Sequence, residues 1–195
     1  MFPKHIFKAY DIRGLVEGEL SDDLAYKIGR AYGVFLRQSG VILENKLIVV
    51  GKDMRITSPG FSRAVISGLV DEGLNVVDIG MASTPLFNFA CTNYPDHAAG
   101  IMITASHNPA EYNGFKMTLH DGTPIGRDNG MSSVRDLAEK NEWSFEGEVG
   151  TITTKEILVD YLNKILSLVK VERSKPKAMF SATFRCGNKA PSCGT

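Results

Sequence analysis

Residues 103–116, ITASHNPAEYNGFK, set a hydroxyl, an imidazole and an amide in succession at Ser106, His107 and Asn108. They follow an apolar run, residues 98–103, that has the character of a buried strand. Three chemistries suit such a cluster. Ser106 and Asn108 can satisfy the backbone groups of a structural turn. A hydrolase-type nucleophile is the weaker fit, because the residues flanking Ser106 do not form a Gly-x-Ser-x-Gly elbow. A serine that carries a phosphoryl group needs positive charge and donors around the phosphate oxygens, and usually a divalent metal. His107 and Lys116 suit that third role, and the local pattern leaves all three readings open.

Two other stretches carry cations. Residues 7–14, FKAYDIRG, place Lys8, Tyr10 and Arg13 in one short segment, and residues 51–55, GKDMR, add Lys52 and Arg55. Each alone reads as a solvated surface turn. In open α/β sheets, however, ligands bind beyond the carboxyl ends of the strands. Three cationic clusters on one such rim point to an anionic small molecule. Pro109 restricts Asn108 to extended angles, and Asn113-Gly114 is expected to turn the chain so that Lys116 returns toward Ser106.

The elements that must position these groups alternate. Ser21 caps a predicted helix with apolar positions at Leu24, Ile28, Ala31 and Phe35, ending near Ser39-Gly40. Residues 47–51 read as a buried strand. Ser58-Pro59 opens a second helix that stops at Gly73. A strand at 75–80, a helix from Ser83 to about Asn93, and strands at 98–104 and 114–119 follow. Helices are predicted over 127–140 and 155–171. This order predicts an α/β layer fold with a mostly parallel sheet. Residues 1–154 are expected to form it. Residues 155–195 read as a linking helix and the incomplete start of a second domain, with a strand-like beginning at 178–180.

The 195-residue chain has a formal net charge of zero, so no global basic field attracts nucleic acid or anionic lipid. No apolar run approaches a membrane span and the N-terminus lacks a secretory pattern, so a cytoplasmic protein is expected. Cys91, Cys186 and Cys193 are too few and too scattered for a disulfide framework or a zinc module.

Three stretches resemble the α-D-phosphohexomutases, the family of phosphomannomutases and phosphoglucomutases: FKAYDIRG at 7–14, GKDMRITSPGFSRAVISGLVDEGLNVVDIGMASTPL at 51–86, and GIMITASHNPAEYNGFKM at 100–117. The resemblance implies a three-layer α/β/α domain with a mixed, mostly parallel sheet, and interconversion of hexose 1-phosphate and hexose 6-phosphate through a hexose bisphosphate. It implies that Ser106 is the phosphoserine and, through its phosphate, a ligand of Mg2+. By the same resemblance His107 and Lys116 assist proton movement and phosphate stabilisation. Tyr10, Arg13, Arg55 and Asn108 would belong to the polar lining.

The family's Asp-Gly-Asp-Gly-Asp-Arg magnesium loop and its later sugar-selecting and phosphate-binding loops are not in this sequence. Where the family pattern calls for an apolar strand and a Gly-Asn-Gly turn, the chain has FSATFRCGNKAPSCGT. A truncated first domain with little turnover on its own, and some self-association, is therefore expected; the alternatives are a non-catalytic sugar-phosphate-binding module and an inert fragment.

Overall fold

The computed structural model describes residues 2–41 and 46–169. The strand-like beginning at 178–180 and the last residues of the predicted 155–171 helix lie outside them.

A 3-10 turn at Lys4–Ile6 leads into β1 (Ile12–Leu15), followed by α1 (Asp22–Gln38), β2 (Leu47–Lys52), α2 (Ser58–Asp71) and β3 (Asn75–Met81). Then come α3 (Thr84–Asn93), β4 (His97–Ile103), β5 (Tyr112–Leu119), α4 (Ser132–Lys140), β6 (Ile152–Thr154) and α5 (Leu158–Leu168). The six strands form one sheet in the order β1-β5-β4-β2-β3-β6. Strands β2, β3, β4 and β6 pair in parallel, and β5 runs antiparallel to both β4 and β1. The sheet is the mixed, mostly parallel one the sequence predicts.

Hydrophobic burial fixes the layers. Every residue of β4 is buried, as a central strand covered on both faces requires. On one face Ile48, Val50, Ile101, Ile103, Phe115 and Met117 join side chains of α1, α2 and α4. On the other, Val49, Val77 and Met102 meet Phe87, Ala90 and Cys91 of α3. Burial pushes the pKa of the Cys91 thiol up, so it packs as a small hydrophobe. Ser21 and Ser83 cap α1 and α3, accepting from the amides of Leu24 at 3.1 Å and Leu86 at 3.4 Å. No helix of the described residues is long and apolar enough to cross a membrane.

The structure departs from the sequence reading at several points. Asn113-Gly114 lies inside β5 rather than in a turn; Gly114 is needed because a Cβ there would stand 2.1 Å from the carbonyl oxygen of Ile12 on β1. The 127–140 helix is broken into a π-type turn, Arg127–Met131, and α4. Gly130 breaks it with φ +141, and a Cβ there would strike the Phe35 ring at 2.4 Å. Helix α5 begins three residues late and buries none of its residues; Leu158, Val159, Leu162, Ile165, Leu166 and Leu168 are exposed. Strands β1 and β6 and the opening 3-10 turn have no counterpart in the sequence reading.

A buried ionic knot ties α1 to the end of α2. Glu72, fully buried, accepts from Arg30 Nε at 2.7 Å and Arg37 Nη1 at 3.3 Å. Arg30 stacks over Trp143 at 5.0 Å and Arg37 over Phe145 at 4.4 Å. Removing one partner of a buried pair leaves charge uncompensated, which costs about 3–5 kcal/mol. Glu72→Ala is expected to lower the urea-unfolding free energy by about that amount; a midpoint matching wild type would show the knot to be unimportant.

His97 is buried on β4, donating from Nδ1 to the Ala90 carbonyl at 2.6 Å. Burial holds its pKa below the ordinary value of 6.5, although Asp96 at 4.0 Å opposes that shift. The folded state therefore keeps the imidazole neutral while the unfolded chain protonates. Its contribution is complete above pH 6.5 and is lost as pH falls through that value toward the lower folded pKa. Stability should drop between pH 7.5 and pH 5 in urea titrations, and His97→Gln should flatten that drop; an unaltered pH profile in the variant would refute this.

Candidate active site

The loop from Thr104 to Glu111 joins β4 to β5, beyond the carboxyl end of a central parallel strand. Its backbone is over-determined. Thr104 donates from N to the Gly114 carbonyl at 2.9 Å, and Asn108 N donates to the Ala105 carbonyl at 3.1 Å. Ser106 N donates to Thr104 Oγ1 at 2.9 Å. Ser106 stands at φ +55, a left-handed conformation that costs a non-glycine residue roughly 1–2 kcal/mol. Its side chain is half-buried, and its Oγ makes no hydrogen bond among the described residues. A strained serine with an unengaged hydroxyl is available for chemistry.

Arg55, from the turn between β2 and α2, lies underneath. Nε donates to Asp53 Oδ2 at 3.1 Å. Nη1 donates to the carbonyls of Pro109 at 2.7 Å and Tyr112 at 2.9 Å. Nη2 donates to those of Ser106 at 3.1 Å and Asn108 at 2.6 Å. Those are all five guanidinium N–H groups. Arg55 thus directs its donors at the loop and at Asp53. Asp53 is itself held by the Ser58 hydroxyl at 2.6 Å and by the amide of Arg55 at 3.0 Å. Asn113, buried at the start of β5, donates to Thr57 Oγ1 at 2.9 Å and Ser58 Oγ at 3.0 Å.

A second group of cations reaches the loop from the sheet edge. Side chains alternate along a strand. With Phe115 and Met117 in the α1 and α2 core, Lys116 takes the opposite face, together with Arg13 of β1. Both close on Asp11, which is 8% exposed: Lys116 Nζ lies 3.0 Å and Arg13 Nη2 2.5 Å from its Oδ2. Arg13 Nη1 donates to Asn108 Oδ1 at 2.9 Å. Lys116 therefore does not bond Ser106 directly, as its expected return would suggest. It connects to the loop through Asp11, Arg13 and Asn108.

Of the residues singled out from sequence, the structure brings Arg13, Arg55, Asn108 and Ser106 into one hydrogen-bonded assembly, with Lys116 attached through Asp11. His107 is exposed on the same loop. Tyr10, 68% exposed, makes no hydrogen bond among the described residues and lies against Gly126. Lys52 pairs with Asp78 at 3.5 Å. Asp11, Asp53, Asn113 and Thr104 also belong to this assembly, with no site role assigned to them from sequence. The signal for the two aspartates was their place beside the cations they neutralise.

Among the described residues no three His, Cys, Asp or Glu side chains come together to hold a metal ion. What they do form is a serine whose hydroxyl is unengaged, on a loop tied to Arg55 through the Ser106 carbonyl and to Arg13 through Asn108.

Residues 4–144 match the family described as phosphoglucomutase/phosphomannomutase, alpha/beta/alpha domain I. The chain is 41% identical over 170 residues to a phosphomannomutase of Vibrio cholerae, covering 87% of this chain and 36% of that one. A phosphomannomutase of Klebsiella pneumoniae is 42% identical over 159 residues, 80% of this chain and 96% of its own. A solved phosphoglucomutase/phosphomannomutase family protein from Burkholderia thailandensis superimposes with a TM-score of 0.78 at 33% identity, over 89% of this chain and 38% of that one. The chain thus spans well under half the length of the Vibrio and Burkholderia proteins.

The Asp11 bridge is testable alone. Hydrogen bonds to charged groups contribute about 1.5–3 kcal/mol, so Asp11→Asn should lower the unfolding free energy by about that amount. An unchanged urea midpoint would show the bridge to be idle.

Proposed function

As the chain belongs to the phosphoglucomutase/phosphomannomutase family, with domain I at residues 4–144, we propose that Ser106 is a phosphoryl carrier for hexose phosphates. The observation that supports this most is the state of Ser106 itself: left-handed backbone, free hydroxyl, and a loop tied to Arg13, Arg55 and, through Asp11, Lys116.

In this reading a hydroxyl oxygen of a hexose monophosphate attacks the phosphorus carried on Ser106. The sugar O–P bond forms as the Oγ–P bond breaks, the sugar's proton passes to a base, and Oγ leaves. The hexose bisphosphate reorients. Its other phosphate then returns to Ser106 by the reverse exchange, releasing the isomeric monophosphate. His107, exposed beside Ser106, is suited to moving the proton. Lys116 and Arg13 supply positive charge to the phosphoryl oxygens, and Asn108 and Tyr10 complete the polar lining.

Magnesium, when bound, would add charge at those oxygens, and Ser106 would meet it only through the phosphate. The described residues do not make a metal site by themselves, so no step above runs through one. Residues 1–154 are taken as the catalytic-serine domain and 155–195 as the connection onward. The exposed leucines of α5 support a connection onward, while its first turn stays docked on α3, with Ile157 buried there and Tyr161 5.4 Å from the Phe89 ring.

Two measurements test the reading. Incubation with glucose 1,6-bisphosphate and magnesium should place one phosphate on the Ser106 peptide, seen by mass spectrometry, and none in Ser106→Ala. Phosphate elsewhere, or nowhere, would overturn it. In a coupled assay with glucose 1-phosphate the chain alone should turn over at least about 10²–10³-fold below a full-length mutase, the loss expected when even one preorganised contact is missing.

A further inference from the structure

We propose that Arg55 is a positioning residue: it holds the carbonyl oxygens of the Ser106 loop from beneath, keeps Ser106 in its left-handed conformation, and so aims Oγ outward without itself meeting a ligand. The catalytic consequence rests on the phosphoserine reading, but the clamp does not.

Three observations carry it. First, the guanidinium has five N–H groups and all five are engaged by the protein, four of them by carbonyls of residues 106, 108, 109 and 112. The Arg55 side chain is 11% exposed, too enclosed to swing toward an incoming phosphate without dismantling the loop. Second, the clamp is anchored. Asp53, 13% exposed at its side chain, neutralises the guanidinium and is fixed by Ser58 at the start of α2. Asn113 of β5 bonds that same Ser58 hydroxyl, so the cation is fixed between two rigid elements. Third, one of the clamped carbonyls belongs to Ser106, whose φ of +55 only a surrounding constraint would maintain.

A planar fork is required. Lysine offers three donors from one point and could not serve carbonyls in four directions while pairing with Asp53. Arg55→Lys and Arg55→Met should therefore behave alike, unlike a pair of variants at a site where charge alone matters.

The experiment has two arms. Hydrogen exchange on the unliganded chain should show loss of protection in the 104–114 peptide in both variants, with the β4 and α1 peptides unchanged. Phosphoryl transfer onto Ser106 from glucose 1,6-bisphosphate should slow by about 10²-fold, as small misplacements of reacting groups do. The bisphosphate concentration at half-maximal rate should stay the same. Retained protection of the 104–114 peptide, or a raised half-saturation at unchanged maximal rate, would overturn the proposal and make Arg55 a ligand contact. Rescue of both arms by lysine would overturn it too. If the wild-type chain takes no phosphate, the phosphoserine reading falls while the exchange arm still decides the clamp. Should Arg55→Met fail to fold, Arg55→Lys is scored in the same two arms.

Discussion

At one point beneath the β4–β5 loop, four backbone carbonyls and one carboxylate converge on a single guanidinium. Carbonyl dipoles drawn so close together repel one another, and a turn holding Ser106 at positive φ would relax if nothing opposed it. The cation of Arg55 supplies the opposing force, and Asp53 keeps that cation from being a buried, unpaired charge. The loop's shape, the backbone of Ser106 and the reach of Asn108 toward Arg13 all depend on this arrangement.

The sheet determines which groups can take part. Residues 13, 55, 106 and 116 are distant in sequence, yet the order β1-β5-β4-β2 brings their strands side by side. The antiparallel insertion of β5 matters most. It returns the chain immediately after the loop, placing Lys116 beside Met102 and, across β1, next to Asp11. A purely parallel sheet would need a crossover of a dozen or more residues there and would carry Lys116 away.

Much of this was legible in the sequence. Runs such as residues 47–51 and 98–103 are apolar throughout because their strands are covered on both faces. Ser21, Ser83 and the Ser58-Pro59 pair mark helix starts by local chemistry that does not depend on the rest of the chain. The failures share a cause, which is that the deciding contact is distant. Gly114 resembles a turn residue until Ile12 is known to press against it. Gly130 is a tolerable helical glycine until Phe35 occupies the space its side chain would need. Strands β1 and β6 are four and three residues long, too short for a periodic signal. The cations of the candidate site were visible by type, but their partners were not. A sequence shows that Arg55 is charged, and only a fold shows that its charge points inward.

The buried pair at Glu72 has an optical consequence. Trp143 is the chain's single tryptophan, and its indole lies against Arg30, the guanidinium that Glu72 holds. Indole emission responds to the charge and solvent next to the ring, so the protein carries a native fluorophore at the junction of α1, α2 and the 141–150 segment. Intrinsic fluorescence of this molecule therefore monitors the region of the Glu72 knot, without any attached label.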